Sequence, residues 1–117
     1  MKIVLDDEEI RLIRFRAKLP DAIGFKNPIE FLRFVEANMK YIELISLDHD
    51  LNFYEFTPYK KEVNGFDVCN ALANMPDLPR DIRIVIHSVN HVGAKRMKWA
   101  LEDAGFEFVK CWPFPWI

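Results

Sequence analysis

Cysteine is scarce. Cys69 and Cys111 are the only two in 117 residues, and their spacing fits neither a zinc knuckle nor a disulfide framework. Both read as small buried apolar side chains in a reducing compartment. An excess of one charge is lacking too. Sixteen Lys and Arg stand against 18 Asp and Glu, a net of −2. Dedicated nucleic-acid or anionic-membrane binders are strongly basic, so that class is excluded and no duplex DNA partner is expected. No apolar run approaches the roughly 18 residues of a transmembrane helix. Acids arrive at Asp6, where a signal peptide needs its apolar stretch. These absences predict a soluble, cytoplasmic protein with no membrane partner. Internal repeats and low-complexity segments are absent as well.

What is present is a core. Half the residues are hydrophobic and 14% are aromatic, which excludes disorder as the main state. A chain of this length buries roughly 65% of its unfolded surface, enough for one domain spanning 1–117.

Ile3 to Leu5 is a short apolar run ending on Asp6-Asp7, the pattern of a buried strand. Residues 8–21 carry Arg11, Arg14, Arg16 and Lys18 and read as a loop or a short exposed element. Ala22 to Phe25 suggests a second strand. Asn27-Pro28-Ile29-Glu30 is a helix start: Asn27 caps, Pro28 loses nothing at the first position, and Glu30 suits the positive helix end. Phe31, Leu32, Val35 and Met39 then give a helix over 28–39. Ile42 to Leu47 is a strand ending on Asp48-His49-Asp50. The aromatic, basic stretch 52–64 is longer than a plain connection and reads as a lid-like insertion. The alternative for its aromatic part, 53–59, is packing against the C-terminal tail. Helical spacing resumes at Phe66, Cys69, Leu72 and Ala73. Ile82 to Ile86 is a strand ending on His87-Ser88. A helix follows over about 92–104, with Gly105 placed as its C-terminal cap. Phe106 to Lys110 is a last strand. The aromatic tail 111–117 is too proline-rich to continue it, and it offers a homodimer contact.

Alternating strands and helices predict an α/β class protein. The architecture is a three-layer α/β/α sandwich with a flavodoxin- or receiver-like, mostly parallel sheet of four to five strands. Right-handed crossovers place the strand C-termini on one edge, and ligands bind there. The polar residues that end the apolar runs all fall on that edge: Asp6 and Asp7; Asp48, His49 and Asp50; His87, Ser88 and Asn90. Converging carboxylates repel unless a hard cation sits among them, and Mg²⁺ or Mn²⁺ prefers such oxygen ligands. Asp6, Asp7, Asp48 and Asp50 are therefore the candidate metal ligands. Asp48, His49, His87 and Ser88 are candidate catalytic groups, with the imidazoles as acid or base. Ser88, Asn90 and Arg11 are candidates for binding a phosphate. Each has an ordinary alternative: a solvated turn for the acids, an N-cap for Asn90, a helix-start surface residue for His91, a surface lysine for Lys110 rather than a catalytic cation. Convergence on one edge favours the functional reading.

Leu5-Asp6-Asp7, Ile45-Ser46-Leu47-Asp48-His49-Asp50-Leu51, Gly65-Phe66-Asp67-Val68 and His87-Ser88-Val89-Asn90, followed by Val92-Gly93-Ala94 and Met97, occur in that order. With these the chain resembles the cyclic-phosphate-processing receiver-like domain family over roughly residues 3–110. The resemblance implies a response-regulator receiver fold with an altered pocket. Asp6, Asp7, Asp48 and Ser88 match a receiver's acidic pair, phospho-acceptor and hydroxyl residue. His49, Asp50, His87 and Asn90 are the additions. It implies a metal-supported pocket for a cyclic phosphate of a nucleotide or an RNA end. The other function open to a receiver-like chain is non-catalytic: binding a nucleotide or phosphate, or phosphorylation on Asp48. The chain departs from the family's pattern where Glu8-Glu9-Ile10-Arg11 follows the acidic pair, where His91 follows Asn90, and where Arg96 precedes Met97.

Overall fold

The structure is a computed structural model that describes residues 1–55 and 61–113. Its elements are β1 (Lys2–Leu5), α1 (Glu9–Lys18), β2 (Ile23–Phe25), α2 (Pro28–Asn38), a 3₁₀ turn (Met39–Tyr41), β3 (Leu44–Leu47), β4 (Phe53–Tyr54), β5 (Glu62–Val63), α3 (Gly65–Ala73), β6 (Arg83–Ile86), α4 (His91–Asp103) and β7 (Phe108–Cys111). Five strands form one parallel sheet in the order β2-β1-β3-β6-β7. This is the receiver-like α/β sheet, and its strand order reverses between β1 and β3.

Alternation along the strands divides the core. Ile3, Leu5, Ile45, Leu47, Ile84 and Ile86 face α2, α3 and α4 and meet Phe31, Val35, Val68, Leu72, Met97 and Leu101. Val4 faces the other way, onto Leu12 and Phe15 of α1. Full burial of each such side chain stabilises by about 1.5–3 kcal/mol.

Local signals hold at the helix ends. The Asn27 side chain accepts from the Ile29 and Glu30 amides, with Pro28 inside the first turn. Gly105 takes φ +97°, and the Phe106 amide reaches back to the Leu101 carbonyl, so the α4 stop is a glycine cap.

Residues 8–21 differ from the sequence expectation. They contain a ten-residue helix, α1, rather than a loop or short exposed element. Only Leu12 and Phe15 of this helix are buried, while Ile10 and Ile13 point to solvent. Among the described residues α1 is the one helix packed on this side of the sheet; its apolar stripe is narrow, and outward isoleucines blur it. Its start also lacks a side-chain cap from Glu8; instead Asp6 Oδ1 accepts from the Glu8 amide at 2.8 Å.

Within 52–64, Phe53–Tyr54 and Glu62–Val63 pair as antiparallel strands. Of the proposed lid and tail, residues 56–60 and 114–117 lie outside the described residues.

Candidate functional site

Leu5, Leu47, Ile86 and Cys111 stand side by side across β1, β3, β6 and β7. The ladder runs one residue further: the Asp48 amide donates to Leu5 O, that of His87 to Leu47 O, and that of Trp112 to Ile86 O. Asp6, Asp48 and His87 thus form one row along the C-terminal edge. The row ends at Trp112. Lys110 sits two residues earlier, opposite Val85, with its ammonium 4.7 Å from the Trp112 ring.

Asp6 is fully buried and its carboxylate accepts four hydrogen bonds. Oδ1 takes the Glu8 amide at 2.8 Å and Arg11 Nη2 at 3.0 Å. Oδ2 takes Arg11 Nε at 2.8 Å and His87 Nε2 at 2.8 Å. Two carboxylate oxygens have about four lone-pair sites, so Asp6 is saturated. Burial works against its charge, but the bonds from His87, Arg11 and Glu8 outweigh it and hold the pKa below the ordinary carboxylate value.

Asp48 is the opposite case. Its Oδ1 accepts from the His49 amide at 2.9 Å and its Oδ2 from Arg11 Nη2 at 3.2 Å. Burial and the neighbouring Asp6 charge push its pKa up, and His87 and Arg11 offset this only in part. Asp7 is raised too, by burial and then by Asp6. The Arg11 guanidinium spans Asp6, Asp48 and, at 3.8 Å, Asp7. Burial disfavours its charge, yet Asp6 first, then Asp48 and Glu8, hold its pKa above the ordinary value.

One oxygen from each of Asp6, Asp7 and Asp48 lies within 4.8 Å of the others. All three offer oxygen, the ligand type of a hard divalent cation, but with Asp6 saturated only Asp7 and Asp48 have oxygens to give it; the guanidinium already bridging the trio shows that the cluster accepts positive charge. Asp50 is not part of the trio. Its side chain is 64% exposed and pairs with His49 Nδ1 at 2.8 Å.

Above the trio opens a cleft of about 440 Å³, lined by Asp7, Glu8, Arg11, Asp48, Asp50, Asn52, Tyr54, Glu62, His87 and Val89. Five of these carry carboxylates and one a guanidinium. A wider groove of about 660 Å³ lies at the far, N-terminal edge of the strands, around Ile42, Glu43 and Arg83. It gathers no such trio.

His49 is wedged under the cleft by two glycines. A Cβ on Gly93 would stand 2.5 Å from the His49 ring, and one on Gly65 would stand 2.2 Å from the Asp48 carbonyl oxygen. Ser88 is buried and accepts from the Asn90 amide at 3.1 Å. Asn90 caps α4 through Gly93 and has its Nδ2 3.4 Å from His49 Nδ1. Ser88, Asn90 and His49 are absent from the cleft lining. His91 is exposed at the start of α4.

Residues 1–103 match the family model described as Cyclic-phosphate processing Receiver domain. The chain belongs to this family. No curated protein and no solved structure matches it. In this receiver domain the acidic pair, Asp48 and His87 are brought together from β1, β3 and β6. Among the described residues no helix is long and apolar enough to cross a membrane. Sequence reasoning missed Ser46, whose Oγ lies 2.7 Å from His87 Nδ1. The signal was there: one hydroxyl in the apolar run Leu44–Leu47. It also missed Glu8; Asn52, Tyr54 and Glu62 line the cleft from within the 52–64 stretch read as lid-like, though none was singled out. Asn52, at φ +47°, carried no clear signal.

Proposed function

We propose that this receiver domain is a divalent-cation-supported phosphoesterase that opens a cyclic phosphate of a nucleotide or RNA end. The observation that carries the reading is the acid surplus of the cleft: five carboxylates line it against one guanidinium. An anionic ester entering alone meets net repulsion. Asp7 and Asp48 have the first claim on a Mg²⁺ or Mn²⁺ ion, because the Asp6 oxygens are already filled. When bound, the cation neutralises the acids and polarises a phosphoryl oxygen.

The chain's own groups divide the rest of the work. Arg11, partly exposed at the cleft wall, keeps its Nε and Nη2 on Asp6 and Asp48 and donates to the phosphate through Nη1. Asp50 opens onto the cleft and is held by His49 Nδ1. This pair takes a proton from the attacking water and returns it to the leaving ribose oxygen. A P–O bond forms to water, the ring P–O bond breaks, and a monoester results. His87 has both ring nitrogens engaged and a side chain only 1% exposed, so it anchors the carboxylates. Ser88 and Asn90 support the loop beneath.

Incubation with 2′,3′-cyclic nucleotides and Mg²⁺ or Mn²⁺, followed by ³¹P NMR, tests this. Ring-opened monoester is expected, and Asp48→Asn lowers its rate at least about 100-fold. No turnover with either metal rejects the hydrolase.

One observation favours a second reading. Asp48 directly follows the central strand β3, the place of a receiver's phospho-acceptor, with one oxygen directed at Arg11. If the domain is a switch, an acyl-phosphate donor with Mg²⁺ yields a labile adduct detectable by mass and lost in Asp48→Asn.

A further inference from the structure

β3 is buried at every position, and its one polar side chain, Ser46, is 1% exposed. A hydroxyl there is costly unless it is bonded. Ser46 lies between Val4 and Val85 in the register, on the face that carries α1. His87 follows Val85 by two residues and leans over the same face, its ring 5.0 Å from that of Phe15. Ser46 Oγ meets His87 Nδ1 at 2.7 Å, and His87 Nε2 meets Asp6 Oδ2 at 2.8 Å. A line of three buried groups thus runs from the middle of the sheet to the carboxylate row beneath the cleft.

The chemistry of the far end fixes the near end. The Asp6 carboxylate only accepts, so Nε2 must carry a hydrogen. Nδ1 then either accepts from the Ser46 hydroxyl or, in the imidazolium, donates to it. A hydroxyl serves both, because it rotates to suit. A flipped ring would turn carbons toward Asp6 and Ser46 and leave two buried polar groups without these bonds.

We propose that Ser46 is a positioning residue of the cleft: its hydroxyl holds the His87 imidazole in the one orientation in which Nε2 donates to Asp6, and so sets the carboxylate row from beneath. Its consequence for phosphate chemistry rests on the phosphoesterase reading; the positioning itself does not.

The test therefore uses no substrate. Two-bond ¹H–¹⁵N correlation of His87 in the whole protein is expected to show Nε2 protonated and its N–H protected from exchange. Ser46→Ala is expected to speed that exchange at least about tenfold, while Ser46→Thr, which keeps the hydroxyl and suits a strand, restores protection. Proton residence on Nδ1 alone in the wild type overturns the proposal, as does an unchanged His87 signature in Ser46→Ala, which would leave Ser46 as core filling. If Ser46→Ala does not fold, the wild-type spectrum and Ser46→Cys, close in volume, decide in its place: a weakened Nε2–H in Cys supports positioning, an unaltered one contradicts it. A failed cyclic-nucleotide assay leaves all these readouts intact, so the two readings fail separately.

Discussion

Asp6 and Asp48 occupy equivalent places on adjacent strands, and their surroundings pull their acidities apart. The lowered Asp6 pKa means its stabilisation is complete above the ordinary carboxylate value and is lost as pH falls through the lowered one. Asp48 and Asp7 run the other way. Their raised values make the ionised forms unfavourable at neutral pH, and acidification through those values relieves the fold. Denaturant titrations across pH should show stability gained on mild acidification and then lost as Asp6 titrates. The gain should shrink in Asp48→Asn. A monotonic fall on acidification in the wild type contradicts this assignment. At neutral pH Asp48→Asn is expected to be more stable than wild type by roughly 1 kcal/mol, the usual sign where function holds a charge under strain, and to lose any stabilisation by added Mn²⁺. Asp6→Ala is expected to cost about 3 kcal/mol, because it strips the partner from a buried, hydrogen-bonded charge network; urea unfolding measures it.

At the scale of elements, the two close helix starts matter most. α3 begins at Gly65 and α4 presents Gly93 because neither backbone can approach the Asp48–His49 segment with a Cβ in the way. Gly93→Ala is expected to displace the His49 ring and to cost about 1–3 kcal/mol, as overpacking usually does; thermal unfolding and the His49 ring resonances report both. Asn64 caps α3 in a reciprocal box with Asp67, so Asn64→Ala should cost about 1 kcal/mol without touching the cleft. The same elements show why parts of the fold were legible. α2 announced itself through Asn27-Pro28 and a wide apolar face, and β3 and β6 through short apolar runs ending on polar residues. α1 hid because its stripe is two residues wide, its cap comes from the strand before it, and two isoleucines face water. Ser46 shows in the sequence as a lone hydroxyl in an apolar run, but a single hydroxyl in a strand declares no partner 41 positions away.

At the scale of the molecule, parallel strand order does the assembling. The sequence places acids and imidazoles at strand ends; only the order β2-β1-β3-β6-β7 makes Asp6, Asp48 and His87 neighbours. The sequence could not separate roles among them, because saturation of Asp6, access of Asp50 and enclosure of His87 depend on side-chain geometry. This acidic cleft should take a phosphate ester only in company with a divalent cation. Calorimetric titration of a 2′,3′-cyclic nucleotide into the protein, with and without Mn²⁺, decides the point. Binding is expected with Mn²⁺ and not without it, and is expected to vanish in Asp48→Asn. Equal affinity in the absence of the metal, or affinity untouched by Asp48→Asn, would mean that the cleft binds the ester without a cation.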